Sequence, residues 1–230
     1  KNILNNIYVG QVEKIATNIQ AAFVRLNDSV NGYLPLNQCE HAIFADGHRE
    51  GQPLRPGDQI LVQINRDAMK GKLPALTANL NFSGKFLVLT TGNRKIGISN
   101  KLSKEESSKL SKWLDDERNI PDRGYGLIAR TNAADASKEE FFHELDMLKK
   151  QYEKVAVYGR NRTCFSLLYE SEPFYLSAVR DIYGRDLDEI VTDISEMHTK
   201  IFDYLNEFQP EKLAILNLYQ DKLLPLYQLH

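Results

Sequence analysis

The chain has 230 residues, 42% apolar and 26% charged, the profile of a globular protein with one or two domains that bury their own cores. A balance of 29 basic against 31 acidic residues leaves a net charge of −2, which excludes a protein that coats polyanions over its whole surface. No apolar run approaches the ~18 residues that span a membrane, and no signal peptide is visible, so a cytoplasmic location is expected. The chain starts at Lys1 without a methionine, so residues are expected to precede it.

The first 80 residues read as an all-β unit. Residues 6–15 alternate imperfectly and carry Gly10 at their centre, where a strand of a small barrel bends. Residues 21–26 form a second strand, 27–32 a turn and 33–36 a third strand. A polar loop over 39–55 and the turn Pro56-Gly57-Asp58 lead into the β-branched run 59–64, and 72–80 closes the set. Five strands with a long connection between the third and fourth describe an OB-fold barrel. Cys39 and Cys164 are far apart, and reduced thiols are expected in preference to a disulfide. Cys39, His41 and His48 share a loop, but their spacing and the lack of a fourth ligand argue against zinc.

The middle of the chain changes character. Residues 86–90 and 95–98 read as strands around Thr91-Gly92-Asn93. Lys85, Arg94, Lys95, Lys101 and Lys104 fall in a stretch without an acid, either a local basic surface for a short anionic segment or a solvated loop. Ser103 with Glu106 is a capping box, and its helix carries Leu110, Trp113 and Leu114 on one face before stopping ahead of Pro121. The apolar run 126–129 then delivers Arg130 and Thr131 side by side. Arg130 offers a planar fork of donors and Thr131 a hydroxyl and a backbone N–H, a pair able to grip a terminal phosphate. The plainer alternative is a strand ending in solvent and a turn. A second capping box, Ser137 with Glu140, starts a helix whose Phe141, Leu145, Leu148, Tyr152 and Val155 form a core stripe.

The last third reads as helix 173–181, strand 189–192, helix 195–208 and strand 212–218, half of a sheet that needs partners. Leu223, Leu224, Leu226, Tyr227 and Leu229 make an apolar tail, which points to truncation or to a partner.

In this order the segments 6–12, 20–24, 32–36, 57–63, 84–89, 97–99, 126–131 and 218–219 resemble the ribonuclease E/G family over essentially the whole chain. The resemblance implies an α+β multidomain fold. An OB-fold β-barrel at 3–78 would be followed by a small α/β 5′-sensor domain at 79–172 and part of an RNase H-like α/β domain at 173–230. The first RNase H-like piece would precede Lys1. Members are endoribonucleases of RNA processing and decay that cut single-stranded RNA and favour a 5′-monophosphate. Their two metal-binding aspartates lie in a DNase I-like domain that would follow His230, and the zinc-linking cysteine motif later still. The resemblance therefore implies no catalytic residue, metal or cofactor in these residues, with Mg²⁺ and a homo-oligomer expected of the full-length enzyme.

Residue by residue, Phe23 and Tyr33 fall on the family's RNA-stacking positions and Lys72 on a basic contact in the same groove; Lys70 is a neighbouring phosphate candidate. Arg130 and Thr131 match the phosphate-gripping pair, and Gly84 and Val88 would complete that pocket through backbone groups. Asn100-Lys101 replaces a more arginine-rich stretch. Two other readings stay open beside this one: a non-catalytic RNA-binding adaptor, and a protein-interaction module, against which the joint presence of Phe23, Tyr33, Lys72, Arg130 and Thr131 speaks.

Overall fold

Alternation along the early strands decides which side chains meet. The computed structural model describes residues 3–45, 52–68, 71–181 and 187–220, and the chain divides into two units, Lys1–Ser171 and Glu172–His230. In the first unit β1 (Ile7–Ala16), β2 (Ala21–Arg25), β3 (Asn31–Pro35), β4 (Gln59–Arg66) and β5 (Ala75–Thr77) pair in the order β1-β2-β3-β5-β4, and β4 closes back on β1. The result is a closed OB-fold barrel. Val12, Ala22, Val24, Leu26, Leu34, Ile60, Val62, Ile64 and Leu76 fill it. At Gly10 a Cβ would lie 2.5 Å from Val24 Cγ1 and 3.0 Å from Val62 Cγ2, so only glycine lets β1 bend this close to the core.

Two parts of the barrel differ from the sequence reading. The strand expected over 72–80 is confined to Ala75–Thr77, because Pro74 lacks an N–H and only its carbonyl takes part, accepting from Tyr33 N at 2.9 Å. The polar loop after β3 contributes Ala42 and Phe44 to the core, with Phe44 bridged to Ile60. Its His48 lies outside the described residues, as does Lys70.

β4 is buried on both faces, which explains the apolar run Ile60-Leu61-Val62 at its centre. On its outer face Gln63 donates from Nε2 to the carbonyls of Asn5 (3.0 Å) and Asn81 (2.9 Å), and its Oε1 accepts from Asn81 N at 2.8 Å. Asn81 opens β6 (Asn81–Ser83), an unexpected strand that starts a second sheet with β7 (Leu87–Thr90) and β8 (Ile96–Ile98). Helices α1 (Lys104–Trp113) and α2 (Asp115–Arg118) precede β9 (Gly126–Ala129), and α3 (Lys138–Gly159) follows it. The sheet order is β6-β7-β9-β8. The strands flanking Thr91-Gly92-Asn93 are thus not partners of each other; β9 lies between them, antiparallel to β7 and parallel to β8. Both capping boxes form, at Ser103 and Ser137, and Phe141, Leu145, Leu148 and Val155 are buried. A further unexpected strand, β10 (Leu167–Tyr169), returns to pair with the start of β1, Ile7 opposite Tyr169.

The second unit is a β-α-β crossover beside a helix. It comprises α4 (Phe174–Asp181), β11 (Ile190–Thr192), α5 (Ser195–Phe208) and β12 (Leu216–Leu218), with β11 and β12 parallel, Ile190 opposite Leu216. Leu176, Val179, Ile201, Leu205 and Leu216 form its core. The last strand is shorter than expected because Pro210 opens a 3₁₀ turn, Pro210–Ile215, which uses up the residues ahead of it. The apolar tail lies outside the described residues. Both Cys39 and Cys164 are free thiols.

Candidate nucleic-acid interface

Two surface features use the residues singled out from the sequence. The first is on the barrel. β2 and β3 pair so that Phe23 stands opposite Tyr33, with ring centroids 6.3 Å apart at 72°. Ala22 and Val24 point into the core, so alternation turns Phe23 outward. Both rings are half-buried rather than core-filling. They line a groove of ≈ 870 Å³ together with Lys72, Leu73, Arg66 and Gln38. Lys72 is exposed on its lip. The Gln38 carbonyl Oε1 accepts from Thr77 Oγ1 (3.0 Å) and Asn79 Nδ2 (3.2 Å), which fixes the amide plane. Sequence reasoning missed Gln38 and Arg66, because neither stands out until β3, β4 and β5 are brought together.

The second feature lies at one end of the four-stranded sheet. Ala129 at the end of β9 is flanked by Leu87 and Ile98, and the chain leaves the sheet as Arg130. Its backbone N–H donates to Phe86 O and its Nη1 to Gly84 O, each at 2.7 Å. This half-buried guanidinium is thereby held against the start of β7. Thr131 begins a 3₁₀ turn, Thr131–Asp135, with its exposed hydroxyl 2.9 Å from Ser99 Oγ. Val88 pairs with Ile128, and strand alternation puts Val88, Ile128 and Arg130 on one face. Ile128 is 40% exposed there. Gly84, Val88, Arg130 and Thr131 therefore gather on adjacent strands and the loops that end them.

What shapes this end is a carboxylate that sequence reasoning did not single out. Glu144, on α3, accepts from the backbone N–H groups of Lys85 (2.7 Å), Phe86 (2.7 Å) and Leu87 (2.8 Å). A Cβ at Gly84 would lie 2.3 Å from that carboxylate, so a side chain there would push the carboxylate off its three donors, and glycine leaves it room. Nothing in the sequence marks Glu144, one of several acids on the solvent-facing side of the stripe. Near the same helix start, the Ser137 N–H holds the Glu140 carboxyl below its ordinary range, with the charge of Lys85 a smaller influence. At the other end of β9 the buried Glu117 accepts from Tyr125 Oη (3.0 Å) and Lys149 Nζ (2.8 Å); burial, then the bond to Glu117, pushes the Tyr125 hydroxyl up.

The basic stretch resolves into separate environments. Lys85 is buried with its Nζ 4.7 Å from the Phe86 ring centre, and Arg94 lies 3.8 Å from Asp122, while Lys95, Lys101 and Lys104 are exposed.

Comparison with known proteins gives the family of the chain. The model of the "Ribonuclease E/G family" matches residues 81–230. Ribonuclease E of Haemophilus influenzae is 30% identical over 229 residues, which covers 96% of this chain and 24% of the relative. Ribonuclease E of Escherichia coli is 30% identical over 195 residues, 82% of this chain and 18% of the relative. A ribonuclease E/G-like protein of Pyropia yezoensis is 30% identical over 205 residues, 87% of this chain and 39% of the relative. The chain thus spans less than half the length of these relatives. With a family model over more than half of its residues and a barrel followed by an α/β unit in the expected order, this chain belongs to the ribonuclease E/G family.

Proposed function

We propose that this chain is the RNA-recognition part of a ribonuclease E/G-type endoribonuclease. In this reading residues 3–78 bind single-stranded RNA, residues 79–172 sense its 5′-monophosphate, and 173–230 belong to an RNase H-like domain. The observation that carries it is the grouping of Arg130, Thr131, Gly84 and Val88 at one end of a sheet whose shape Glu144 fixes. Phe23 and Tyr33 present ring faces on which unstacked bases lie, a sequence-tolerant contact of about 1–3 kcal/mol per base. Lys72 and Arg66 supply charge to the phosphates beside them. Arg130 supplies a charge-assisted bond of about 1.5–3 kcal/mol net to a terminal phosphate. The family resemblance adds selection by size, in which a pocket closed around that phosphate accepts a monophosphate and resists the bulk and charge of a triphosphate.

Cutting is assigned to residues outside this chain. In this reading the Mg²⁺ of the full-length enzyme is assigned together with the cutting. Among the described residues no helix is long and apolar enough to cross a membrane; a cytoplasmic location and a full-length homo-oligomer belong to the same proposal. Incubation of purified chain with labelled single-stranded RNA and Mg²⁺ tests the reading. Saturable binding with the RNA left intact is expected; failure to bind, or specific Mg²⁺-dependent products, contradicts it.

A further inference from the structure

A second cavity, of ≈ 570 Å³, opens on the first unit away from both features above, and its lining includes His41, Arg94, Arg123, Tyr152 and Arg160. It lies beside the residues that lead into β9, whereas Arg130 follows the last residue of that strand. The four residues of β9, Gly126–Ala129, separate them by about 13 Å. One phosphate cannot occupy both places.

Three arginines, Arg94, Arg123 and Arg160, belong to the lining. Arg123 is anchored to three carbonyls: Nε to Tyr125 O (2.9 Å), Nη1 to Glu117 O and Nη2 to Arg94 O (2.6 Å). Neutral carbonyls hold a guanidinium in place without cancelling its charge. Arg94 has a carboxylate near it, Asp122 at 3.8 Å, but the Asp122 side chain is 97% exposed, so water screens that pairing. Glu40 is the other acid of the lining and is exposed as well. Arg94, Arg123 and Arg160 thus line a space within the ~300–1,000 Å³ of small-molecule sites. The segment after β3 joins this cavity to the aromatic groove: Gln38 lines the groove, and Glu40 and His41 line the cavity.

We propose that this cavity binds a further nucleotide of an RNA strand that leaves the aromatic groove past Gln38, with Arg94 and Arg160 taking its phosphate. The proposal rests on the RNA-binding reading of that groove. Arg94 and Arg160 are exposed, so R94Q/R160Q retains the fold, which thermal melting checks. Binding of the whole chain and of this variant is measured with 5′-hydroxyl single-stranded RNAs of about 4 and about 12 nucleotides, lengths that bracket OB-fold site sizes, and with AMP. The variant should lose about tenfold for the long RNA and keep its affinity for the short one. Its salt slope for the long RNA should fall by about 0.7, the share of the one phosphate that both arginines contact. Unchanged binding of the long RNA overturns the proposal, as does equal loss for both lengths. Tight AMP binding abolished by R94Q/R160Q, with long RNA unaffected, would identify a free mononucleotide as the ligand and likewise overturn the strand. Failure of the unaltered chain to bind either RNA would instead remove the groove reading itself.

Discussion

The aromatic groove and the Arg130 end of the second sheet are built in opposite ways. In the groove, Phe23 and Tyr33 need only the alternation of two adjacent strands, and their rings face outward because their neighbours face in. The Arg130 end depends on a contact across 58 residues of chain, between Glu144 and the N–H of Phe86, and on a glycine that leaves the carboxylate room. A surface made by local pairing tolerates change one residue at a time. A surface made by a distant clamp fails as a whole when the clamp is removed.

The clamp gives the largest expected effect. Glu144→Ala leaves the N–H groups of Lys85, Phe86 and Leu87 without their acceptor in buried surroundings. At about 1–3 kcal/mol for each unsatisfied buried donor, the variant should lose about 3 kcal/mol or more of stability in chemical denaturation. A loss under about 1 kcal/mol would show that water replaces the carboxylate and that the two regions are less different than they look. In the groove, Phe23→Ala and Tyr33→Ala should each weaken RNA binding by about 1–3 kcal/mol whatever the 5′ end, with the barrel still folded by circular dichroism. Unfolding in either variant would make that ring a core element and erase the contrast.

Smaller effects sharpen the comparison. Thr131→Val removes the hydroxyl that meets Ser99 but keeps the backbone N–H, so phosphate-ended RNA should lose about 1 kcal/mol, less than for an Arg130 truncation. Competition binding with the two 5′ ends measures it. Ser137→Ala removes a cap of the helix that carries Glu144 and should cost about 1 kcal/mol of stability. Its partner Glu140 has a lowered carboxyl, so the cap's contribution is present above the ordinary glutamate range and fades as pH falls through the lowered value. Glu140→Gln should flatten that acid limb of the stability profile, and an unchanged limb would dismiss the cap as its source.

Much of this was legible in the chain itself. The barrel followed from short β-branched runs, the turn at Gly57 and the bend at Gly10; the two helices followed from capping boxes that the structure contains. Arg130 and Thr131 stood out because an apolar strand ends in them just before a cap. The pairing of β9 between β7 and β8 did not show, since periodicity marks a strand but not its neighbour. β6 and β10, three residues each, are too short to carry a period. Glu144 was invisible for a different reason: as a polar residue on an amphipathic helix it looks like any solvated acid, and only the fold reveals three backbone donors in front of it.

If the 5′ end and the strand are read at separate places, the decisive quantity is the ratio of affinities for otherwise identical 5′-phosphate and 5′-hydroxyl RNAs, in the unaltered chain and in Arg130→Ala. A ratio well above one is expected, collapsing to about one in the variant through a loss of about 1.5–3 kcal/mol for the phosphorylated RNA, with hydroxyl-ended binding unchanged. Equal weakening for both ends would make Arg130 a general backbone contact and contradict the assignment.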